Sequence, residues 1–176
     1  MDARKHIFWL FVFLILINTI LTSCRRDDVF RKKLSEAIKN ENVENISLTI
    51  YYMSPFILTR QPLSVNDLIN SSKAQKIVIE GDSLKEHIAL FEQIENDDLI
   101  PVKDKSYIDA RLYYVLESKK NGELLDVSMW GGENNSIFVN GVEIIENDIF
   151  YDVVKPFLSK DAIKELENYV AGIWPE

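Results

Sequence analysis

The chain carries two Asn-Gly dipeptides, Asn121-Gly122 and Asn140-Gly141, each set between runs rich in alternating apolar residues. A two-residue hairpin loop needs positive φ at both positions, which Asn and Gly tolerate best, so each dipeptide predicts a type I′ β-hairpin. Arg111–Ser118 and Glu123–Trp130 flank the first, and Ser136–Val139 and Val142–Ile145 flank the second. With Asn121-Gly122 as the loop, Lys120 faces Glu123, Leu116 opposes Val127 and Tyr114 opposes Met129, which gathers the apolar residues on one face. On the other face Tyr113 opposes Trp130. The second hairpin sets Ile137 against Ile144 and Val139 against Val142. Aligning Met129 with Ile137, and Val127 with Val139, requires a five-residue connection from Gly131 to Asn135. Residues 111–145 therefore read as an antiparallel meander of four strands.

Two further strands precede this meander. Ile46 to Met53 alternates with Ile46, Leu48, Ile50 and Tyr52 on one face, and Lys76 to Glu80 is short and apolar-centred. Between them, Pro55 and Pro62 exclude a central strand, so residues 54–75 read as a loop with a helical turn near Val65–Ile69. Ser83 and Glu86 have the spacing of a capping box, and Leu84, Ile88, Phe91 and Ile94 follow as one stripe, predicting a helix over 83–95. Asp148–Lys155 reads as a helix stopped by Pro156. Ser159 caps a last helix, Lys160–Ala171, with Gly172 at its C′ position. Segregated strands and helices predict an α+β fold, an antiparallel sheet with helices packed on one face. At roughly 100–200 residues per domain, residues 46–176 form a single domain.

The N-terminal region reads differently. Arg4, Lys5 and His6 precede eleven uninterrupted apolar residues, Ile7 to Ile17, and Asn18-Thr19-Ile20-Leu21-Thr22-Ser23-Cys24 follows with small residues at its end, the pattern of an export signal. Ile7 to Thr22 would make about 24 Å of helix at ~1.5 Å per residue, short of a hydrocarbon layer of about 30 Å. Leu21-Thr22-Ser23-Cys24 resembles the lipobox of bacterial lipoproteins. That resemblance implies cleavage before Cys24, a diacylglycerol thioether on its sulfur, and fatty chains (palmitate among them) that hold the mature protein to a membrane outside the cytoplasm. Residues 1–23 are then signal peptide, and 24–45 an anchor with a basic tether and an amphipathic helix. In that helix Val29, Phe30, Leu34, Ala37 and Ile38 recur at helical spacing beside Arg31, Lys32 and Lys33, which could touch anionic headgroups or remain a solvated face. The mature body also resembles uncharacterised modules of bacterial lipoproteins, through Thr59-Arg60-Gln61-Pro62-Leu63, Asp67-Leu68 and Phe138-Val139-Asn140-Gly141. That likeness carries no known activity.

The side chains that carry chemistry are sparse. A net charge of −8 argues against nucleic acid, which selects a basic face. One cysteine makes no internal disulfide or zinc cluster, and acylation removes it as a nucleophile. His6 leaves with the signal, and His87 at the margin of a helical stripe reads as a boundary residue rather than a base. There is no Gly-x-Ser-x-Gly elbow, calcium loop or phosphate cradle, so no catalytic residue, metal or cofactor is expected. Carboxylates are plentiful: Asp97, Asp98, Asp104 and Asp109 share a loop, and Glu80 and Asp82 end a strand. They read as acidic surface, or else as the pair of a hydrolase acting on envelope polysaccharide. Aromatic residues are the better candidates for a contact surface. Tyr113 with Trp130 is core if helices cover its face, which the sequence favours, and a flat patch for a protein or glycan if they do not. Phe56, in an unusually apolar loop, poses the same choice. The expectation is a non-catalytic, lipid-anchored envelope protein that binds another envelope protein, a glycan or a toxin it neutralises.

Overall fold

The structure, a computed structural model, describes residues 43–103, 106–129 and 136–175. The lipobox, the basic helix over 28–40, Asp104, Trp130 and the 131–135 connection lie outside the described residues. The fold is α+β: one six-stranded antiparallel sheet with helices. In chain order come β1 (Ile46–Tyr52), α1 (Val65–Asn70), β2 (Gln75–Glu80), α2 (Asp82–Lys85), β3 (Leu112–Ser118), β4 (Gly122–Met129), β5 (Ile137–Val139), β6 (Val142–Ile144), α3 (Ile149–Asp152) and α4 (Lys160–Val170). The strands lie in the order β2-β1-β3-β4-β5-β6, so the last four form the expected meander.

The second hairpin has the expected register, Ile137 opposite Ile144 and Val139 opposite Val142. Its turn has Asn140 at φ 49° and Gly141 at φ 74°, the geometry type I′ requires. Across β4 and β5, Met129 faces Ile137 and Val127 faces Val139, again as the apolar pattern demands. The first hairpin differs. Leu116 pairs with Leu125, Tyr114 with Val127, Tyr113 with Ser128 and Ser118 with Gly122. The cause lies in the turn, where the Ser118 hydroxyl accepts hydrogen bonds from the amides of Lys120 (3.1 Å) and Asn121 (2.9 Å). These bonds hold a wider loop in which Gly122 has φ 70° and Asn121 is not left-handed. Leu124 becomes the extra residue of a bulge between the Leu116–Leu125 and Glu117–Glu123 pairs. From Leu112 to Leu116 the slip is of two residues, so these side chains keep their face while losing their expected partners.

The main core lies on the face of Leu48, Ile50, Tyr114, Leu116, Val127 and Met129. Leu84, Ile88, Phe91 and Ile94 cover it from one side, and Phe150, Val153, Val154, Ala162 and Leu166 from the other. The helix expected over 83–95 is not continuous. α2 ends at Lys85, His87 adopts φ −122°, and a 3₁₀ helix runs Ile88–Gln93. Ile88, Phe91 and Ile94 recur every third residue, the period at which 3₁₀ side chains superpose, so the stripe is buried by a different helix. Gly81 rather than Ser83 stands at the cap and no side chain closes it. The capping box forms instead at α1, where Ser64 accepts from the Asp67 amide (3.1 Å) and Asp67 accepts from the Ser64 amide (3.0 Å). The helix expected over 148–155 is likewise shortened to α3 and a 3₁₀ turn at Lys155–Phe157, with Pro156 within it. α4 matches its expected start, as Ser159 Oγ accepts from Ala162 N (3.1 Å), and its last turn closes with Ile173 N donating to Asn168 O (2.8 Å).

α1 departs from the one-face arrangement. Leu68 packs with Met53 and Ala110 in a second cluster that also takes in Tyr51, Tyr113 and Leu63, on the reverse side of the sheet. Arg111, only 5% exposed, secures this layer. Its guanidinium donates to Ile57 O (3.0 Å), Thr59 Oγ1 (3.1 Å) and Asp109 Oδ2 (3.1 Å). Asp109 Oδ1 accepts in turn from Leu63 N (2.9 Å). The Thr59–Leu63 motif is therefore a loop clamped to the residues that lead into β3. The outer edge of β6 is covered by Ile100–Val102, through bonds from Val102 N to Glu143 O (3.1 Å) and from Ile145 N to Ile100 O (2.8 Å). Pro101 in that segment cannot extend the ladder further.

Candidate functional site

A cavity of about 280 Å³ opens between the end of β6, α3 and α4. Met129 and Ile137 form its floor, and Tyr151, Leu166, Val170 and Ala171 its walls. Glu146, Asp148 and Glu167 stand around it with Asn147. The sequence creates this space because α4 turns its small Ala171 and its last valine towards a sheet corner that α3, only four residues long, does not cover. The rim is fixed. Asn147 Nδ2 donates to Asp98 Oδ1 (2.6 Å) while its Oδ1 accepts from Ile149 N (3.0 Å). Lys155 pairs with Glu167 (2.7 Å) and lies over the Tyr151 ring, 5.4 Å from its centroid. Burial, with the charges of Glu167 and Asp152, pushes the Tyr151 hydroxyl up to about 12, so it stays a neutral phenol at physiological pH. The Tyr52 hydroxyl bonds Glu165 of α4, and the buried Tyr114 hydroxyl donates to Phe150 O of α3 (2.9 Å).

The reverse face of the sheet is the second candidate. The expectation that helices bury the Tyr113 face is corrected: the main helical layer covers the Tyr114 face, because the apolar alternation of β1, β3 and β4 is denser there. Tyr113 is half-buried and stacks on Tyr51, its cross-strand neighbour on β1, with centroids 6.1 Å apart and planes at 29°. The β4 neighbour of Tyr113 is Ser128, and Lys76 lies 5.6 Å above the Tyr51 ring. α1 covers one end of this face, while Val78 on β2 remains 52% exposed. Further along, Asp126 hydrogen-bonds Glu123. Burial first, and then the Glu123 charge, pushes its carboxyl up to about 6.

Phe56 leaves the sheet altogether. It meets Tyr169 edge-on (6.0 Å) and Trp174 (5.6 Å), so its loop braces the end of α4 while Trp174 stays 63% exposed. His87 packs edge-on against Phe157 (5.3 Å), the boundary role expected of it. Of the carboxylates considered for hydrolysis, Asp98 and Asp109 are held apart by separate partners. Asp98 accepts from Glu95 N (2.7 Å) and Asn147, and Asp109 is held by Arg111 and Leu63 on the other side of the sheet. Among the described residues no group of three His, Cys, Asp or Glu side chains could hold a metal ion, and no helix is long and apolar enough to cross a membrane. Sequence reasoning missed Tyr51 and the cavity. Tyr51 needed the β1–β3 pairing, and the cavity walls look like ordinary core positions. The chain matches no protein-family model, no curated protein and no solved structure.

Proposed function

We propose that this chain is a lipoprotein of a bacterial cell envelope, held to its membrane by fatty chains on Cys24, and that its α+β domain binds a partner without catalysis. The anchor rests on the Leu21-Thr22-Ser23-Cys24 sequence behind a basic and apolar leader. The binding reading is carried by the cavity between α3 and α4. At about 280 Å³ it falls just short of the ~300–1,000 Å³ of sites for drug-sized ligands, which suits one or two apolar side chains of a protein partner. Three carboxylates at its border favour a basic residue beside that anchor. Asp98 and Asp109 already serve as loop anchors, which weighs against the polysaccharide hydrolase.

The test has two parts. Mass spectrometry of the natural product is expected to find a chain beginning at acylated Cys24, and an intact leader or a free thiol there refutes the anchor. Capture from intact envelopes should retain a defined protein with wild type and lose it with Ala171→Trp, which fills the cavity from an exposed position. Unchanged capture by a folded Ala171→Trp variant refutes the cavity as the contact.

A further inference from the structure

A sheet edge is a row of backbone donors and acceptors, and the two edges of this sheet are finished differently. On β6 the outer row is taken up by Ile100–Val102, with Pro101 in the middle. β2, at the other end of the strand order, pairs with β1, and among the described residues no backbone bond reaches its outer side. Its six residues run in unbroken register from Gln75 opposite Tyr52 to Glu80 opposite Ser47, without a bulge or a proline. Gly81 at φ 61° turns the chain off the strand, and Leu84 carries it into the core. Val78 stays half-exposed in the middle of β2, with Lys76 and Glu80 exposed on either side of it.

The strand is complementary to itself. Two copies related by a twofold axis normal to the sheet run antiparallel and keep their faces, so residues opposite one another share a face. Lys76, Val78 and Glu80 lie on one face, beside Tyr51, Thr49 and Ser47, and Ile77 and Ile79 lie on the other, beside Ile50 and Leu48. With the axis at Val78, Lys76 of each copy stands opposite Glu80 of the other, Ile77 stands opposite Ile79, and the two Val78 side chains meet at the centre. Each charge then faces the opposite sign and each apolar residue an apolar one, the pairs that stabilise a ladder. Moving the axis to Ile77 sets Lys76 against Val78, and moving it to Ile79 sets Val78 against Glu80. We infer that the open edge of β2 pairs with β2 of a second copy about a twofold axis at Val78, joining the two sheets into one. The cavity is lined from β4 and β5, on the far side of β1 and β3, so the inference is independent of it and of the chemistry at Cys24.

Disulfide trapping of the full chain in dilute detergent micelles tests it. Directly opposed residues of an antiparallel ladder have Cα atoms about 4.5–5.5 Å apart, within the reach of a disulfide. Val78→Cys, made together with Cys24→Ser so that no other thiol takes part, should run mostly as a reducible dimer on a denaturing gel after mild oxidation. Glu117→Cys in the same background, exposed on β3 and away from the edge, should stay monomeric. Lys76→Glu sets carboxylate against carboxylate and should lower the Val78→Cys dimer yield several-fold, and adding Glu80→Lys should restore it. Positions 76, 78 and 80 are all exposed, so these changes leave the packed core intact. A monomer from Val78→Cys, an equal dimer yield from Glu117→Cys, or a yield indifferent to Lys76→Glu overturns the inference. Another protein, or another segment of this chain, seated on the edge gives the first of these outcomes.

Discussion

Asp126 shows how one side chain records its neighbourhood. It stands on β4 just past the bulge, part-buried and hydrogen-bonded to Glu123, while its backbone amide donates to Asn140 Oδ1 (3.0 Å). Its folded carboxyl titrates near 6 against an ordinary 3.8, so the folded state binds the proton more tightly than the unfolded chain. Stability from the protonated form is complete below about pH 4 and is lost as pH rises through about 6. Asp126→Asn keeps the shape and removes the titration. The variant is expected to melt close to wild type at about pH 4 and above it at about pH 7.5, measured by thermal denaturation at the two pH values. A variant that melts lower at neutral pH contradicts the repulsion. No single-residue signal in the sequence announces this, because the Glu123 contact depends on the bulge at Leu124.

At the scale of elements, local sequence decided the turns whose partners are local, and misled where a competing side chain intervened. Asn140-Gly141 forms its type I′ turn because both residues take positive φ and nothing nearby bids for their amides. At Asn121-Gly122 the Ser118 hydroxyl captures two amides first and the register moves by two. The capping box obeys the same logic. Ser83 and Glu86 have the right spacing, but Gly81 at φ 61° is the cap of α2 and the next turn tightens to 3₁₀. Ser64 and Asp67, two residues after Pro62, make the reciprocal bonds instead, and they hold the Asp67 carboxyl below its usual range. Ser64→Ala should therefore cost about 1 kcal/mol in urea denaturation. Ser83→Ala should stay within about 0.5 kcal/mol, and the reverse ranking would contradict the assignment.

At the scale of the molecule, two tyrosines tie the sheet to the helical layer. Tyr114 is fully buried, packs edge-on against Phe91 (6.4 Å) and donates to Phe150 O in α3 (2.9 Å). Burial holds its hydroxyl well above the ordinary tyrosine range, which keeps it a donor throughout the stable pH range. Tyr114→Phe leaves the Phe150 carbonyl without that donor and should cost about 1–3 kcal/mol. Tyr52 is itself buried but bonds Glu165, a half-buried carboxylate that water can reach once the hydroxyl is gone, so Tyr52→Phe should cost less. Equal losses in denaturant melts would show that burial does not set the difference. The same packing defines the candidate sites: the cavity exists where short α3 and the end of α4 leave a corner of the sheet uncovered, and α1 with its loop packs on one end of the reverse face.

The amino-acid sequence by itself determined the α+β class, the four-stranded meander, the faces on which side chains lie and the start of α4. Each follows from a period or a cap that a few neighbouring residues set. It also holds the whole case for an anchor at Cys24. Tertiary structure alone decided that β1 lies between β2 and β3, that Tyr51 stacks on Tyr113, that the main helical layer chose the Tyr114 face, and that a cavity remains beside α4. These depend on contacts between residues far apart in the chain, whose pairing is fixed by the total burial of apolar surface and which no local period encodes.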